Sequence, residues 1–246
     1  MCILNCVRAL LAIAAMLIGA TSAHGQAVSG QGTWETTLQA RDINLNAVAA
    51  TDASAVYLYD TTLDVTWLRN ANVNGAMDWN TANTWAADLV TGSGAAAISD
   101  WRLPTMADPA AAMNCTYSGT NCGANVAPSS SEMANLFYST LGNKSWYNTS
   151  GVGPQVGWGL TNVGSFQNMQ SFVYWLGAEY SPGSDSAWNF ATANGYQGGN
   201  IKTLQLSAMA VRPGDVLSPV PEPETYAMLL AGLGLIGAIG RRRRLT

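Results

Sequence analysis

The sequence predicts one α+β domain that lies between two apolar terminal segments. Strand-like runs occur near both ends of the middle region, and two amphipathic helical patterns lie between these runs. The chain has 246 residues. Without its terminal segments about 190 remain, which is enough for one hydrophobic core. We expect residues 26–54 to supply an N-terminal strand and a connection, and residues 55–215 to form the main domain.

Strands are predicted at the beginning and at the end of this middle region. Alternating side chains indicate a strand over residues 32–41 and a hairpin made of residues 55–59 and 65–68. Three further strands are expected at residues 172–180, 186–195 and 203–213. The joining segments 181–185 and 196–200 (Tyr-Gln-Gly-Gly-Asn) have the composition of turns. The strands are therefore expected to pair in an antiparallel way.

Two amphipathic helices are predicted between the strands. The first can be capped by Asp78 or Asn80 and stops near Gly92. The second begins at Ser129-Ser-Ser-Glu132, which has the spacing of a capping box, and ends at Gly142. Because each helix has one apolar face, each is expected to cover one side of a sheet.

Composition excludes several classes of function. Without its terminal segments the chain keeps 6 basic and 13 acidic residues, a net charge of −7, which argues against nucleic-acid binding. The only histidine is His24, at the edge of the N-terminal segment. The domain therefore has no imidazole for Ser-His-Asp or Cys-His catalysis, or for the common zinc sites.

Two cysteines remain in the domain, Cys115 and Cys122, in a loop rich in Gly, Asn and Ser. In an exported chain this spacing predicts a local disulfide, which would stabilise the fold by ~2–3 kcal/mol. The alternative is a metal-binding pair, but no histidine lies nearby to complete such a site.

Several short motifs follow one another in a recognisable order. They are Trp67-Leu68, Trp79 and Trp85, Asp100-Trp101-Arg102-Leu103-Pro104-Thr105, Ser131-Glu132-Met133, Tyr174-Trp175, Ala187-Trp188-Asn189-Phe190 and Val211-Arg212-Pro213. This order resembles the bacterial domain of unknown function marked by DWRLPT, akin to the Lcl-type C-terminal domain. That domain is similar to the C-type-lectin-like and formylglycine-generating-enzyme fold. The resemblance covers about residues 55–215 and implies a C-type-lectin-like domain.

The DWRLPT segment can also be interpreted from its residues alone. Trp101 and Leu103 are apolar anchors on alternate positions, and Pro104 forces the residue before it to be extended. Asp100 and Arg102 are spaced to meet the same backbone or each other, and Thr105 can cap a short turn. We interpret the segment as a structural corner between a strand and a helix.

No catalytic residue, metal ligand or cofactor is predicted. Formylglycine-generating enzymes work through cysteines and metal, whereas this domain has one cysteine pair with the spacing of a local disulfide. The strand that would carry Trp-Asn-Asp in a calcium-dependent lectin reads Trp188-Asn189-Phe190, and the loop from Asp42 to Asn46 lacks the glycine and distal glutamate of an EF-hand. Two carboxylate pairs keep an enzyme open as the alternative: Asp60 with Asp64, and Glu179 with Asp185.

A metal-free binding surface is the remaining candidate site. The domain holds nine tryptophans, most of them in periodic apolar positions typical of a core. Trp146 and Trp158 instead lie in a stretch rich in Gly, Asn and Ser, residues 142–164. We predict that these two residues are candidates for contact with a polysaccharide, in the long variable loop that the resemblance implies.

The N-terminal segment has the layout of a secretory signal peptide. Arg8 is followed by an apolar run over residues 9–20 and by the small residues Thr21, Ser22 and Ala23. Residues 1–25 are therefore predicted to direct the chain to the Sec export machinery. The alternative is a buried N-terminal helix.

The C-terminal segment, residues 216–246, combines three elements in order. Pro221, Glu222 and Pro223 lie in the motif of residues 220–224, an apolar helix is predicted over residues 225–240, and a basic cluster ends it with Arg241, Arg242, Arg243 and Arg244. Residues 227–240 would span only about 21 Å as a helix, against about 30 Å for a bilayer core. The order resembles the PEP-CTERM sorting signal of Gram-negative bacteria, which implies an exosortase-type partner. An ordinary membrane anchor is the alternative.

Together these features predict an exported, non-catalytic cell-surface or matrix protein with an adhesive or structural role in exopolysaccharide. The chain would be anchored in the inner membrane transiently, through its C-terminal helix, and would end at the cell surface or outside the cell. The alternative is a secreted carbohydrate-active enzyme or a metal-dependent lectin with an unrecognised carboxylate site.

Overall fold

Two β-sheets and a few short helices make up the part of the chain that the structure describes. The structure is a computed structural model, and it describes residues 26–108, 110, 113–180 and 183–217. The predicted signal peptide and nearly all of the sorting tail, including its Pro-Glu-Pro motif and arginine cluster, lie outside the described residues. The mixture of strands and short helices fits the expected α+β class.

The first sheet has five strands that all pair in an antiparallel way. Its spatial order is β12-β4-β3-β1-β2. The strands are β1 (Leu38–Asp42), β2 (Ala47–Val48), β3 (Ala55–Asp60), β4 (Val65–Leu68) and β12 (Val211–Pro213). The pairing of β3 with β4 confirms the predicted hairpin.

The second sheet has seven strands, and most of its pairs are antiparallel. Its spatial order is β5-β11-β8-β9-β10-β7-β6, and only the pairs β11–β8 and β6–β7 are parallel. The strands are β5 (Ala76–Met77), β6 (Cys115–Thr116), β7 (Cys122–Ala124), β8 (Val173–Glu179), β9 (Ser186–Ala191), β10 (Tyr196–Ile201) and β11 (Leu206–Ser207).

The helices are short. They are α1 (Trp34–Thr37), α2 (Trp79–Asp88) and α3 (Glu132–Ala134), the last continued by a π-helical segment (Asn135–Thr140). Two 3₁₀ turns, Gly94–Ala96 and Pro128–Ser130, complete the described set. The predicted cap of α2 is confirmed, since the Asp78 carboxylate accepts a hydrogen bond from the backbone N–H of Thr81 at 3.0 Å.

The predicted capping box of the second helix is wrong. Ser131, not Ser129, caps α3, and its hydroxyl accepts from the backbone N–H of Ala134 at 3.4 Å. Ser129 instead lies in the 3₁₀ turn that precedes this cap. Glu132 does not reach back to the start of the helix, because its carboxylate binds Arg102.

Three strand predictions need correction. Residues 34–37 form α1 and not a strand, because the buried Trp34 begins a helical turn whose N–H groups bond to the Thr33 carbonyl. Residues 203–213 divide into β11 and β12, which belong to different sheets. The segment from Tyr196 to Asn200, predicted as a turn, is most of β10. The Met113 side chain packs on the backbone of Gly199 in this strand, where an added Cβ would lie 2.1 Å from the Met113 Cε. The glycine therefore allows a close contact with Met113 and does not mark a turn.

Three clusters of buried apolar side chains form the core. The largest joins both sheets to the helix that begins at Glu132, and it includes Trp67, Phe137 and Trp188. The second packs α2 against the opposite face of β8 and β9, and the third lies beside the first sheet around Tyr57 and Trp101. Alternation along β8 sends Tyr174 to the first cluster and Trp175 to the second.

Residues 26–54 belong to the same folded unit as the residues that follow them. Strand β1 lies between β3 and β2, so the boundary expected at residue 55 falls inside one sheet. Gly32 packs directly on the end of the π-helical segment, and Arg41 forms an ion pair with Asp215 at 2.6 Å.

A buried carboxyl at the end of β3 should make stability depend on pH. Asp60 is fully buried, and burial raises the pKa of its carboxyl above 3.8, although N–H groups of Thr62 and Leu63 partly oppose this shift. The folded protein therefore keeps this proton at pH values where the unfolded chain has lost it, so the contribution of Asp60 to stability falls as pH rises through this range. Urea unfolding measures this effect: the free energy of unfolding of the wild type, relative to that of Asp60→Asn, should be higher at about pH 3 than at about pH 7. A pH-independent difference would contradict the assignment.

Candidate functional site

Four chain segments meet at one end of the second sheet. The Tyr138 hydroxyl donates to the Gly195 carbonyl and accepts from the Asn125 N–H at 3.0 Å, and burial raises the pKa of Tyr138 to about 12. It therefore joins the helix, the loop after β7 and the turn between β9 and β10. The segment from residue 142 to 164 is bonded to the same turn, because the backbone N–H of Trp146 donates to the Asn194 carbonyl at 2.9 Å.

The structure brings the two candidate tryptophans together on this segment. The rings of Trp146 and Trp158 form an edge-to-face pair with centroids 4.3 Å apart, and both side chains are half-buried. Gly153 lies against Trp146, since an added Cβ would be 2.7 Å from the indole Cδ1. The Gln155 N–H donates to the Trp146 carbonyl, and the Gly159 N–H donates to the Lys144 carbonyl, both at 2.9 Å. The pair is thus held by backbone contacts on both sides.

A second aromatic pair lies beside the first. Tyr117 and Tyr147 have ring centroids 5.0 Å apart and are 46% and 36% exposed. The Asn125 side chain joins their backbones, because its Nδ2 donates to the Tyr117 carbonyl at 2.7 Å and to the Tyr147 carbonyl at 2.8 Å. Sequence reasoning missed this pair, although Tyr117 stands inside the loop closed by the cysteines.

The predicted disulfide is confirmed. Cys115 and Cys122 are bonded, and they lie opposite each other in the parallel pair β6–β7. Since Tyr117 lies within the closed loop, the disulfide restricts the position of this exposed ring.

The segments that form this end of the domain carry almost no charge. Residues 109–131 and residues 145–178 contain no Asp, Glu, Lys, Arg or His, and Lys144 is the single charged residue in the stretch 142–164. The domain as a whole is acidic, so its charges are concentrated elsewhere. The surface offers aromatic rings, amides and hydroxyls.

The DWRLPT segment connects the core clusters. Trp101 stacks on Tyr57 with centroids 5.9 Å apart in the third cluster, while Leu103 belongs to the second. The backbone of Arg102 exchanges two hydrogen bonds with Val211 of β12, at 2.8 and 2.9 Å. Two residues later, the Pro104 carbonyl accepts from the Gly177 N–H of β8 at 2.8 Å. The segment therefore links the two sheets.

Polar side chains of the same segment are engaged by Glu132. Arg102 forms a bidentate ion pair with this carboxylate, with both distances 2.8 Å, so its guanidinium meets Glu132 and not Asp100, which was one of the two expected arrangements. The Thr105 N–H also donates to Glu132, at 2.7 Å, and the Thr105 hydroxyl donates to the Met106 carbonyl at 3.5 Å. Asp100 is exposed and has a φ of 65°. These contacts explain the segment as a structural link.

The carboxylates that could serve an enzyme are separately engaged. Asp60 accepts two backbone N–H groups, whereas Asp64 accepts from the Tyr59 hydroxyl. Glu179 forms an ion pair with Lys202 at 2.6 Å. A groove of about 190 Å³ contains Glu132, but the oxygens of this carboxylate already bind Arg102 and Thr105.

A metal site would need several ligating side chains close together. Among the described residues, no group of three or more His, Cys, Asp or Glu side chains lies close enough to hold an ion. In the loop that was compared with an EF-hand, the Asp42 carboxylate accepts from the Asn44 N–H and from the N–H and side chain of Asn46. The side-chain and backbone hydrogen bonds from Asn46 lower the pKa of Asp42.

Comparison with known families identifies the C-terminal segment. Residues 219–244 match the PEP-CTERM protein-sorting motif. A signal of this kind implies an exported protein that an exosortase-type enzyme sorts to the cell envelope or surface. No curated protein and no solved structure was found to match the chain. Within the described residues, none of the helices combines the length and apolar composition needed to cross a bilayer.

Proposed function

We propose that the chain is a non-catalytic surface or matrix protein whose domain binds an uncharged polysaccharide through Trp146 and Trp158. The observation that carries this proposal is the pairing of the two half-buried indoles on a surface almost without charge. Sugar rings present C–H groups that pack on aromatic rings, and their hydroxyls suit neighbouring amides and hydroxyls. A surface without charge favours a ligand without charge, because no ionic group has to lose its water unpaired.

The proposal includes the route that brings the domain to its ligand. Residues 1–25 act as a Sec signal peptide, and residues 225–240 hold the chain transiently in the inner membrane with Arg241–Arg244 on the cytoplasmic side. The exosortase-type enzyme reads Pro221, Glu222 and Pro223. The matched motif and the order of export signal, domain and tail support this route. The final location is the surface or matrix of a Gram-negative cell, where the role is adhesive or structural.

We also infer that the domain, whose DWRLPT-type motifs lie within residues 55–215, is related to the C-type-lectin-like fold. The inference is supported by a DWRLPT segment that links the sheets through Val211 and Gly177, and by a long irregular stretch, residues 142–164, that carries the candidate surface. A non-catalytic role is supported by the engagement of Glu132 and Glu179 in ion pairs.

Loss of both tryptophans should strongly weaken polysaccharide binding. The full chain is tested by affinity electrophoresis against neutral hydroxyethyl cellulose, dextran and galactomannan, with anionic alginate as a fourth probe. The double variant Trp146→Ala/Trp158→Ala should lose at least about tenfold in affinity for the neutral polysaccharide that the parent binds. The control is Ile201→Ala/Leu204→Ala, which removes two exposed apolar side chains elsewhere and should bind like the parent.

Two results would contradict the proposal. Unchanged binding by the double tryptophan variant would exclude the indole pair as the site, whereas a loss of binding supports the pair when the urea unfolding midpoint of the variant matches that of the parent. Release of reducing ends from any of the four polysaccharides would favour the alternative, a carbohydrate-active enzyme.

A further inference from the structure

The geometry points to a second subsite for the same ligand at Tyr117 and Tyr147, so that the domain takes a linear, uncharged polysaccharide over several consecutive sugars. We further infer that the Cys115–Cys122 disulfide holds this subsite in place. The inference rests on the proposed function, because it extends the ligand beyond the tryptophan pair.

The two tyrosines present an unused aromatic surface. The described domain buries Tyr57 and Tyr174 completely, whereas Tyr117 and Tyr147 are 46% and 36% exposed. Among the described residues no hydrogen bond uses the hydroxyl group of either exposed tyrosine, so each can donate to and accept from a sugar hydroxyl. Exposed rings with free polar tips are typical of a binding surface more than of a core.

The subsite is positioned before any ligand arrives. One Asn125 amide fixes the carbonyls of both tyrosines, and Gly151 lies close to the Tyr117 ring, since an added Cβ would be 2.8 Å from Cδ2 and Cε2. The disulfide closes the loop that carries Tyr117. Because the rings are already fixed, a ligand would lose little free energy in ordering them.

One turn separates the tyrosine pair from the tryptophan pair. Gly151 supports Tyr117 and Gly153 supports Trp146, so the two pairs are connected through a backbone of two residues, at most about 7 Å when extended. Between these glycines Val152 is 65% exposed, and Trp146 and Tyr147 are neighbours in the chain. A ligand that leaves one pair therefore crosses this turn to meet the other.

The chemistry of the surface selects the occupant. Residues 113–126 and 145–158 supply aromatic, amide, hydroxyl and small apolar groups but no Asp, Glu, Lys, Arg or His. Apart from the neighbouring Lys144, such a surface offers no charged group to a phosphate, a uronic acid or a charged peptide, and it matches alternating C–H faces and hydroxyls along a neutral glycan. The length of the path over both pairs favours an oligomer over a single sugar.

The test separates the two pairs by ligand length. Disaccharide and hexasaccharide fragments of whichever neutral polysaccharide the parent binds are titrated calorimetrically into the full chain. Tyr117→Ala/Tyr147→Ala should weaken binding of the hexasaccharide at least about fivefold and leave the disaccharide affinity unchanged. Cys115→Ser/Cys122→Ser should reproduce this loss, whereas Tyr117→Phe/Tyr147→Phe, which keeps both rings, should lose less.

The outcomes are distinguishable. Hexasaccharide binding that requires the tryptophans but is unaffected by the tyrosine and cysteine variants overturns the second subsite and leaves the proposed function standing. Absence of binding to every neutral probe overturns the proposed function and the subsite together. Concentration-dependent dimerisation of the parent that the tyrosine alanine variant abolishes would instead assign the surface to a second copy of the chain.

Discussion

Gly32→Ala should lower the free energy of unfolding by about 3 kcal/mol or more, whereas Gly30→Ala should cost only about 1 kcal/mol. Both glycines have positive φ angles, 73° and 75°, so both alanines meet the same backbone penalty. The two positions differ in the room that they leave for a Cβ atom. An added Cβ on Gly32 would lie 2.3 Å from the Thr140 carbonyl oxygen, whereas the same atom on Gly30 would have no neighbour within 4 Å.

Urea unfolding at constant pH measures this pair of variants. Gly142 makes the reciprocal contact, with an added Cβ 2.5 Å from the Gly32 nitrogen, so Gly142→Ala should be about as damaging as Gly32→Ala. Equal midpoints for Gly30→Ala and Gly32→Ala would show that the backbone contact contributes nothing. The result expected here makes residues 26–54 an integral part of the domain.

Glu132→Gln should cost about 2–3 kcal/mol of stability, through the loss of charge-assisted hydrogen bonds to a partly buried guanidinium. The Glu132 side chain is 13% exposed, and it receives two bonds from Arg102 and one from the Thr105 N–H. A glutamine can keep one acceptor but presents an N–H₂ group toward Arg102, which has only donors there.

Glu179→Gln is the matched control for this change. Glu179 is also paired with one cation, Lys202, but its side chain is 55% exposed. Exposed pairs contribute about 0–1 kcal/mol, so this variant should unfold near the parent midpoint. If the two glutamine variants were equally stable, the link between DWRLPT and the helix would not contribute to the fold in the way its geometry indicates.

Local rules explain the elements that could be predicted. The Asp78 cap, the hairpin of β3 and β4, and the disulfide each depend on residues only a few positions apart. Their spacing in the sequence is therefore enough to predict that they meet. Elements that depend on distant partners could not be read in this way. The glycines of β10 predict a turn, but the Met113 side chain, which is distant in the sequence, occupies the space beside Gly199. Residues 203–213 divide because β11 and β12 pair with strands of two different sheets.

The capping box shows how a local pattern can fit and still fail. Glu132 has the right spacing from Ser129, but Arg102, thirty residues earlier, offers it a bidentate partner. The candidate surface could be predicted only in part, because it too depends on residues that are distant in the sequence. Trp146 and Trp158 could be selected by the composition around them, whereas Tyr117 and Tyr147 lie thirty residues apart and are joined by Asn125 only in the folded chain.

The scarcity of charge around the aromatic pairs has a physical consequence outside the cell. Ions in solution weaken attraction between charged groups within a Debye length of about 8 Å at physiological salt. With Lys144 as the single charged residue between positions 142 and 164, this end of the domain has little for ions to screen. Attachment there would hold equally in dilute fresh water and in brine, and its on-rate would gain nothing from long-range steering.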